Sequence, residues 1–233
     1  GAFATKGSAL ARLGQLSDAI AAFEAAVELD NANPDVFFKL GRALSSAGRN
    51  EDAVKAFRKG LLIDTRNAEG FNFLAAALQN LNRHKEAVEA CRFAILNSPD
   101  YAEAHNRMAH SLLSLEQWKE AVAAARKTLA LKPDFQDAIY NLGMGQIGTR
   151  QYDKAAECFR QLLNAGPEDN MALLNLGNAL LGAGRSIEAR DVFIETTEKM
   201  PQWAGGFMNL GHAYMHLGEY DRSIECYNKG VEL

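Results

Sequence analysis

Apolar side chains recur along this chain at spacings of three and four, separated by polar ones, over nearly its whole length. That spacing returns a side chain to the same face of an α-helix at each turn, so the pattern predicts amphipathic helices. One motif stands out: a large apolar residue, an apolar one three later, a small residue directly after it, and another large apolar residue three further on. Its clearest copies are Phe37-Leu40-Gly41-Leu44, Phe71-Leu74-Ala75-Leu78, Leu173-Leu176-Gly177-Leu180 and Phe207-Leu210-Gly211-Tyr214. Corresponding residues are separated by multiples of 34.

A second motif keeps the same phase. Ala19/Phe23, Ala53/Phe57, Ala155/Phe159 and Ala189/Phe193 place Ala four residues before Phe, with Ala87/Cys91, Ala121/Ala125 and Ser223/Tyr227 as variants. Pro99, Pro133, Pro167 and Pro201 fall between units at the same interval, where each can end one helix and turn the chain toward the next. Each unit therefore reads as two helices. Gly14, Gly48, Asn82, Gly184 and Gly218 mark the break between them, since Gly and Asn tolerate the left-handed conformation that ends a helix. Glu116 and Arg150 hold that place in two units, so those two turns are expected to close differently. The small residue of the first motif lets the two helices approach closely.

A unit of this length and pattern resembles the tetratricopeptide repeat, and the resemblance covers the chain without insertion. It implies an all-α fold: a right-handed superhelical solenoid of seven antiparallel helix pairs. The repeats would occupy 1–33, 34–67, 68–101, 102–135, 136–169, 170–203 and 204–233 of a single domain spanning 1–233. Such a unit buries too little alone, and stability becomes a sum over units and interfaces. The ends are then the weak points. Lys6 stands where every later unit is apolar, and the last unit lacks its final residues, so fraying or end-to-end contact is expected there. The chain reads as a piece of something longer, because it begins at Gly1 and ends at Leu233 inside a helical pattern.

The resemblance also implies that the first helix of each unit lines a concave groove where ligands lie. In the earlier half those positions bring Lys39, Arg42, Asn72, Gln79, Asn80, Asn106, Arg107 and His110, a locally basic, amide-rich set suited to carboxylates on a peptide. The carboxylate clamp of chaperone-binding relatives is not reproduced, because Phe38 stands where its first lysine would be. The later half brings Tyr140, Asn141, Met144, Asn175, Asn178, Met208, Asn209, His212 and Met215. Asn141, Asn175 and Asn209 are spaced by 34 and should form a ladder. A side-chain amide both donates and accepts, so a ladder can hold the backbone of an extended peptide. Such a ladder resembles the substrate-binding arm of O-linked N-acetylglucosamine transferases.

Composition and charge narrow the field. Apolar residues make up 48% of the chain, enough for a substantial core. The net charge of -4 argues against a general nucleic-acid binder. No apolar run is long enough to insert in a membrane. Cys91, Cys158 and Cys226 are widely spaced, read as free thiols, and suit a reducing, cytoplasmic setting. His212 and His216 lie four apart, a spacing that can chelate a metal, but no third ligand is evident; neither metal nor cofactor is expected. No phosphate-cradling loop or nucleophile motif is present, so catalysis is not expected. The leading expectation is a scaffold that binds an extended peptide or helix of a partner protein in its groove. Two alternatives stay open: a substrate-recruiting arm of a larger enzyme such as a glycosyltransferase, and a scaffold that self-associates through its terminal repeats.

Overall fold

The computed structural model describes residues 1–166 and 169–233; of the regularly spaced prolines, Pro167 falls outside the described residues. Among the described residues the secondary structure is entirely helical. Two compact units result, Gly1–Leu115 and Glu116–Leu233. The first holds α1 (Ala2–Arg12), α2 (Leu16–Leu29), α3 (Pro34–Ser46), α4 (Asn50–Ile63), α5 (Ala68–Asn80), α6 (His84–Asn97) and α7 (Ala102–Ser114). The second holds α8 (Trp118–Leu131), α9 (Gln136–Gly148), α10 (Tyr152–Ala165), α11 (Asn170–Gly182), α12 (Ser186–Lys199), α13 (Ala204–His216) and α14 (Tyr220–Glu232). Odd-numbered helices are the first of each repeat and even-numbered ones the second. The 34-residue interval of the sequence thus becomes the interval between helix starts.

Local chemistry sets the boundaries. Pro34 opens α3 at a position that needs no amide proton, and the Asn33 side chain accepts from the amide of Asp35. Asn67 caps α5, and Asp169 caps α11 through the amides of Met171 and Ala172. Pro99, Pro133 and Pro201 lie between repeats. Inside each repeat, one residue at positive φ turns the chain: Gly14, Gly48, Asn82, Gly184 and Gly218 as expected, but also Glu116 (φ 57) and Arg150 (φ 59). The expectation that the last two turns close differently is therefore wrong. The left-handed turn conformation is retained at both positions, and the strain of an L side chain there, roughly 1–2 kcal/mol, is accepted instead.

The small residue of the first motif faces the aromatic residue of the second, sixteen positions later. A Cβ on Gly41 would stand 2.5 Å from the Phe57 ring, one on Gly7 2.8 Å from Phe23, one on Gly143 2.8 Å from Phe159 and one on Gly211 2.8 Å from Tyr227; Gly177 meets Phe193 in the same way. Carbon atoms attract best at about 3.5–4.0 Å, so any Cβ there overlaps the ring. Where the first helix carries Ala75 instead, the second carries the smaller Cys91, and both are fully buried in the same core cluster. A different close approach buries Phe38, wedged where a Cβ on Gly60 or on Gly70 would come within 2.7 Å of its ring.

Phe23, Phe57, Ala53 and Leu78 anchor the core of the first unit, and Phe159, Phe193, Ala155 and Leu180 that of the second. Cys91 and Cys158 are buried thiols, and burial pushes them up to about 12 and about 11 respectively, which leaves both inert as nucleophiles. Cys226 is half-buried. At the outer ends, α14 buries only Ser223 among its side chains and leaves Ile224 and Val231 exposed, while Phe3 of α1 and Leu13 at its end are exposed.

Candidate functional site

The residues that could meet a ligand sit on the odd-numbered helices. In the first unit, Lys39 is half-buried and pairs with Asp35 one turn earlier at 2.6 Å. Arg42 is exposed and lies over the Phe73 ring, 5.0 Å from its centroid, while Phe73 stacks on Phe57. The ring face attracts the guanidinium while its N–H groups keep their capacity to donate.

Asn72 is buried rather than open. Its amide donates to the Tyr101 hydroxyl (3.1 Å), and its carbonyl accepts from Arg107 Nε (3.1 Å). Arg107 also donates through Nη1 to Gln79 Oε1 (2.7 Å), and Gln79 in turn donates to the Arg107 carbonyl and to Ser111 Oγ. Burial lowers the Arg107 guanidinium from its ordinary value, against the nearby Cys91 and Tyr101, which raise it. The basic and amide residues read as one open surface thus divide. Asn72, Gln79 and Arg107 satisfy one another, whereas Arg42 and the exposed His110 reach the surface. Asn106 is half-buried, and Asn80 is exposed and donates to Asn50.

In the second unit the asparagine ladder is not a row of open amides. Asn141 and Asn175 are buried, at 5% and 8% exposure, and only Asn209 is half-exposed. The Asn175 amide is already spent, donating to the Tyr140 hydroxyl (3.1 Å) and to the Met171 carbonyl (2.9 Å). Tyr140 packs edge-on against Phe159. The physical reason is packing density: a side chain at this repeat position points at the neighbouring first helix, and a short polar one is covered there. Asn178 is half-buried, and Met171, Met208, His212 and Met215 are exposed. His212 lies edge-on to Tyr227, 5.6 Å between centroids. No group of three metal-ligating side chains gathers around His212 and His216 or elsewhere among the described residues.

Arg12, at the end of α1, was not anticipated from the sequence. It lines two adjoining cavities with Ser8 and Lys39. Its signal was the absence of an acidic residue one turn away on the same helix. No described helix is long and apolar enough to cross a membrane.

Comparison with known proteins bears on the repeats. Tetratricopeptide repeat models match residues 34–67, 74–134, 140–198 and 204–233, and a TPR repeat model matches 7–48. A tetratricopeptide repeat protein from Parabacteroides merdae superposes with a TM-score of 0.74 at 17% identity, over 99% of this chain and 91% of its own. MamA is 26% identical, with a TM-score of 0.65 over 68% of this chain and 92% of its own. YrrB, described as a TPR protein with an unusual peptide-binding site, is 23% identical, with a TM-score of 0.66 over 77% and 92%. No curated protein matches the sequence.

Proposed function

The chain belongs to the tetratricopeptide repeat family, an all-α helical repeat scaffold for protein interaction, and on that premise we propose that it grips an extended peptide or a helix of a partner protein along its first helices, without catalysing a reaction. One observation carries this reading. The packing positions repeat from unit to unit, whereas the ninth positions of the first helices do not: Ser8, Arg42, Ala76, His110, Met144, Asn178 and His212 all stand there. Arg42, His110 and His212 among them are exposed. A periodic frame that carries an aperiodic row of accessible side chains can read a sequence, because each repeat offers a different contact. The peptide-binding site that YrrB is described as having supports the reading by showing what this fold accommodates.

The test is selection of displayed random peptides on the whole chain, followed by photo-crosslinking from single positions. Crosslinkers at Arg42 and His212 should capture a selected peptide, and crosslinkers at Lys59 and Glu225 on second helices should not. Capture only from the second-helix positions would overturn the proposal.

A further inference from the structure

We propose that the first unit holds a glutamate- or aspartate-bearing peptide segment in a trough between α1 and α3, with Arg12 and Arg42 receiving its carboxylates. The inference rests on the groove reading above and narrows it to one chemistry at one place. The trough is formed by two adjoining cavities of about 380 and about 370 Å³ that share Ser8, Arg12 and Lys39. It is lined mainly by the first helices α1 and α3, and Leu16 and Phe23 of α2 complete the inner part.

Its charge is unbalanced. Arg12, Lys39 and Arg42 line it, against the single carboxylate of Asp35, and that carboxylate is taken by Lys39. Arg12 and Arg42 make no ion pair among the described residues. Most arginines on or capping the second helices differ, with Arg126 an exception. Arg49, Arg58, Arg83, Arg92, Arg160 and Arg185 each hold a carboxylate at 3.3 Å or less. A chain with a net charge of -4 and acids at hand for those arginines leaves two guanidiniums unneutralised in one concave place. The Phe73 ring restrains the Arg42 guanidinium, so part of the ordering cost of a carboxylate contact is met before binding. The Ser46 side chain in the same cavity supplies a further donor, while the Ser8 hydroxyl is committed to the Ala4 carbonyl. An acidic segment that passes from one cavity to the other meets both guanidiniums.

Fluorescence anisotropy of the whole chain with three labelled peptides tests this: one rich in glutamate, its glutamine counterpart and a phosphoserine counterpart. The glutamate peptide should bind roughly tenfold or more tightly than the glutamine one, and lose that margin at high salt. The double variant R12Q/R42Q should weaken the glutamate peptide by a similar factor with the circular dichroism spectrum and melting unchanged, whereas R49Q should not weaken it. Equal affinity for the glutamate and glutamine peptides overturns the proposal and leaves the groove reading standing. Full binding of the glutamate peptide by R12Q/R42Q overturns the location. A phosphoserine peptide that binds more than about tenfold tighter than the glutamate one overturns the choice of carboxylate. Failure of every peptide overturns this inference alone, since the groove reading is judged on peptides selected without regard to charge.

Discussion

Gly143 offers a clean contest between helix propensity and packing. It sits in the middle of α9, where alanine is worth about 1 kcal/mol more than glycine by intrinsic preference. The added Cβ would lie 2.8 Å from Phe159 Cζ and 3.1 and 3.2 Å from the two Cε atoms. Against an ideal separation of about 3.5 Å, the ring must retreat by about 0.7 Å. Phe159 is fully buried and Tyr140 abuts it edge-on, so it has nowhere to go. Overpacking of this kind costs roughly 1–3 kcal/mol, so Gly143→Ala should destabilise by about 1 kcal/mol net despite the better propensity. Urea unfolding followed by circular dichroism measures the net change, and amide exchange in α9 and α10 localises it. The reciprocal exchange is the control. Cys91→Phe should destabilise because Ala75 faces it, and Ala75→Gly in that background should recover about 1 kcal/mol, a coupling that independent sites would not show. A Gly143→Ala protein as stable as the parent or more so, or an additive Ala75/Cys91 cycle, would refute the account of helix approach.

Two further outcomes follow from single side chains. Arg150→Gly should raise stability by about 0.5–1 kcal/mol, because relief of left-handed strain exceeds the extra chain entropy of glycine, and the exposed Arg150 side chain gives up no packing; a lower urea midpoint would refute this. Tyr227→Phe should be neutral or stabilise by up to about 1 kcal/mol, because the buried hydroxyl has no hydrogen-bond partner and phenylalanine fills the same seat in other repeats; a loss of stability would show that the hydroxyl is satisfied.

The sequence was most legible where one residue type answers one geometric need. The 34-residue interval located every helix pair, and the small residue marked the close approach. Glu116 and Arg150 misled because a turn can be imposed by the hairpin around it, so composition at one position does not decide it. The groove was harder to read. Repeat position says which way a side chain points, but not whether its neighbour covers it. Asn141 and Asn175 share a register with Asn209, yet two are buried and one is not. Asn72 becomes a structural residue only because Tyr101 and Arg107, about thirty residues away, reach it. Arg12 went unnoticed for the converse reason: its importance lies in what does not pair with it.

The match between Gly41 and Phe57, Gly143 and Phe159, and Ala75 and Cys91 lies within a hairpin, whereas Gly70 with Phe38, Gly148 with Trp118 and Gly182 with Tyr152 form a second set across the junctions. Such a hairpin carries a lock and its own key. Moving a whole hairpin keeps its internal contact intact, but keeps the junction contacts only where the new neighbour brings the matching glycine or aromatic residue. A hairpin together with the neighbour it is fitted to, not the lone helix, is the unit in which such an array can be lengthened or rewritten.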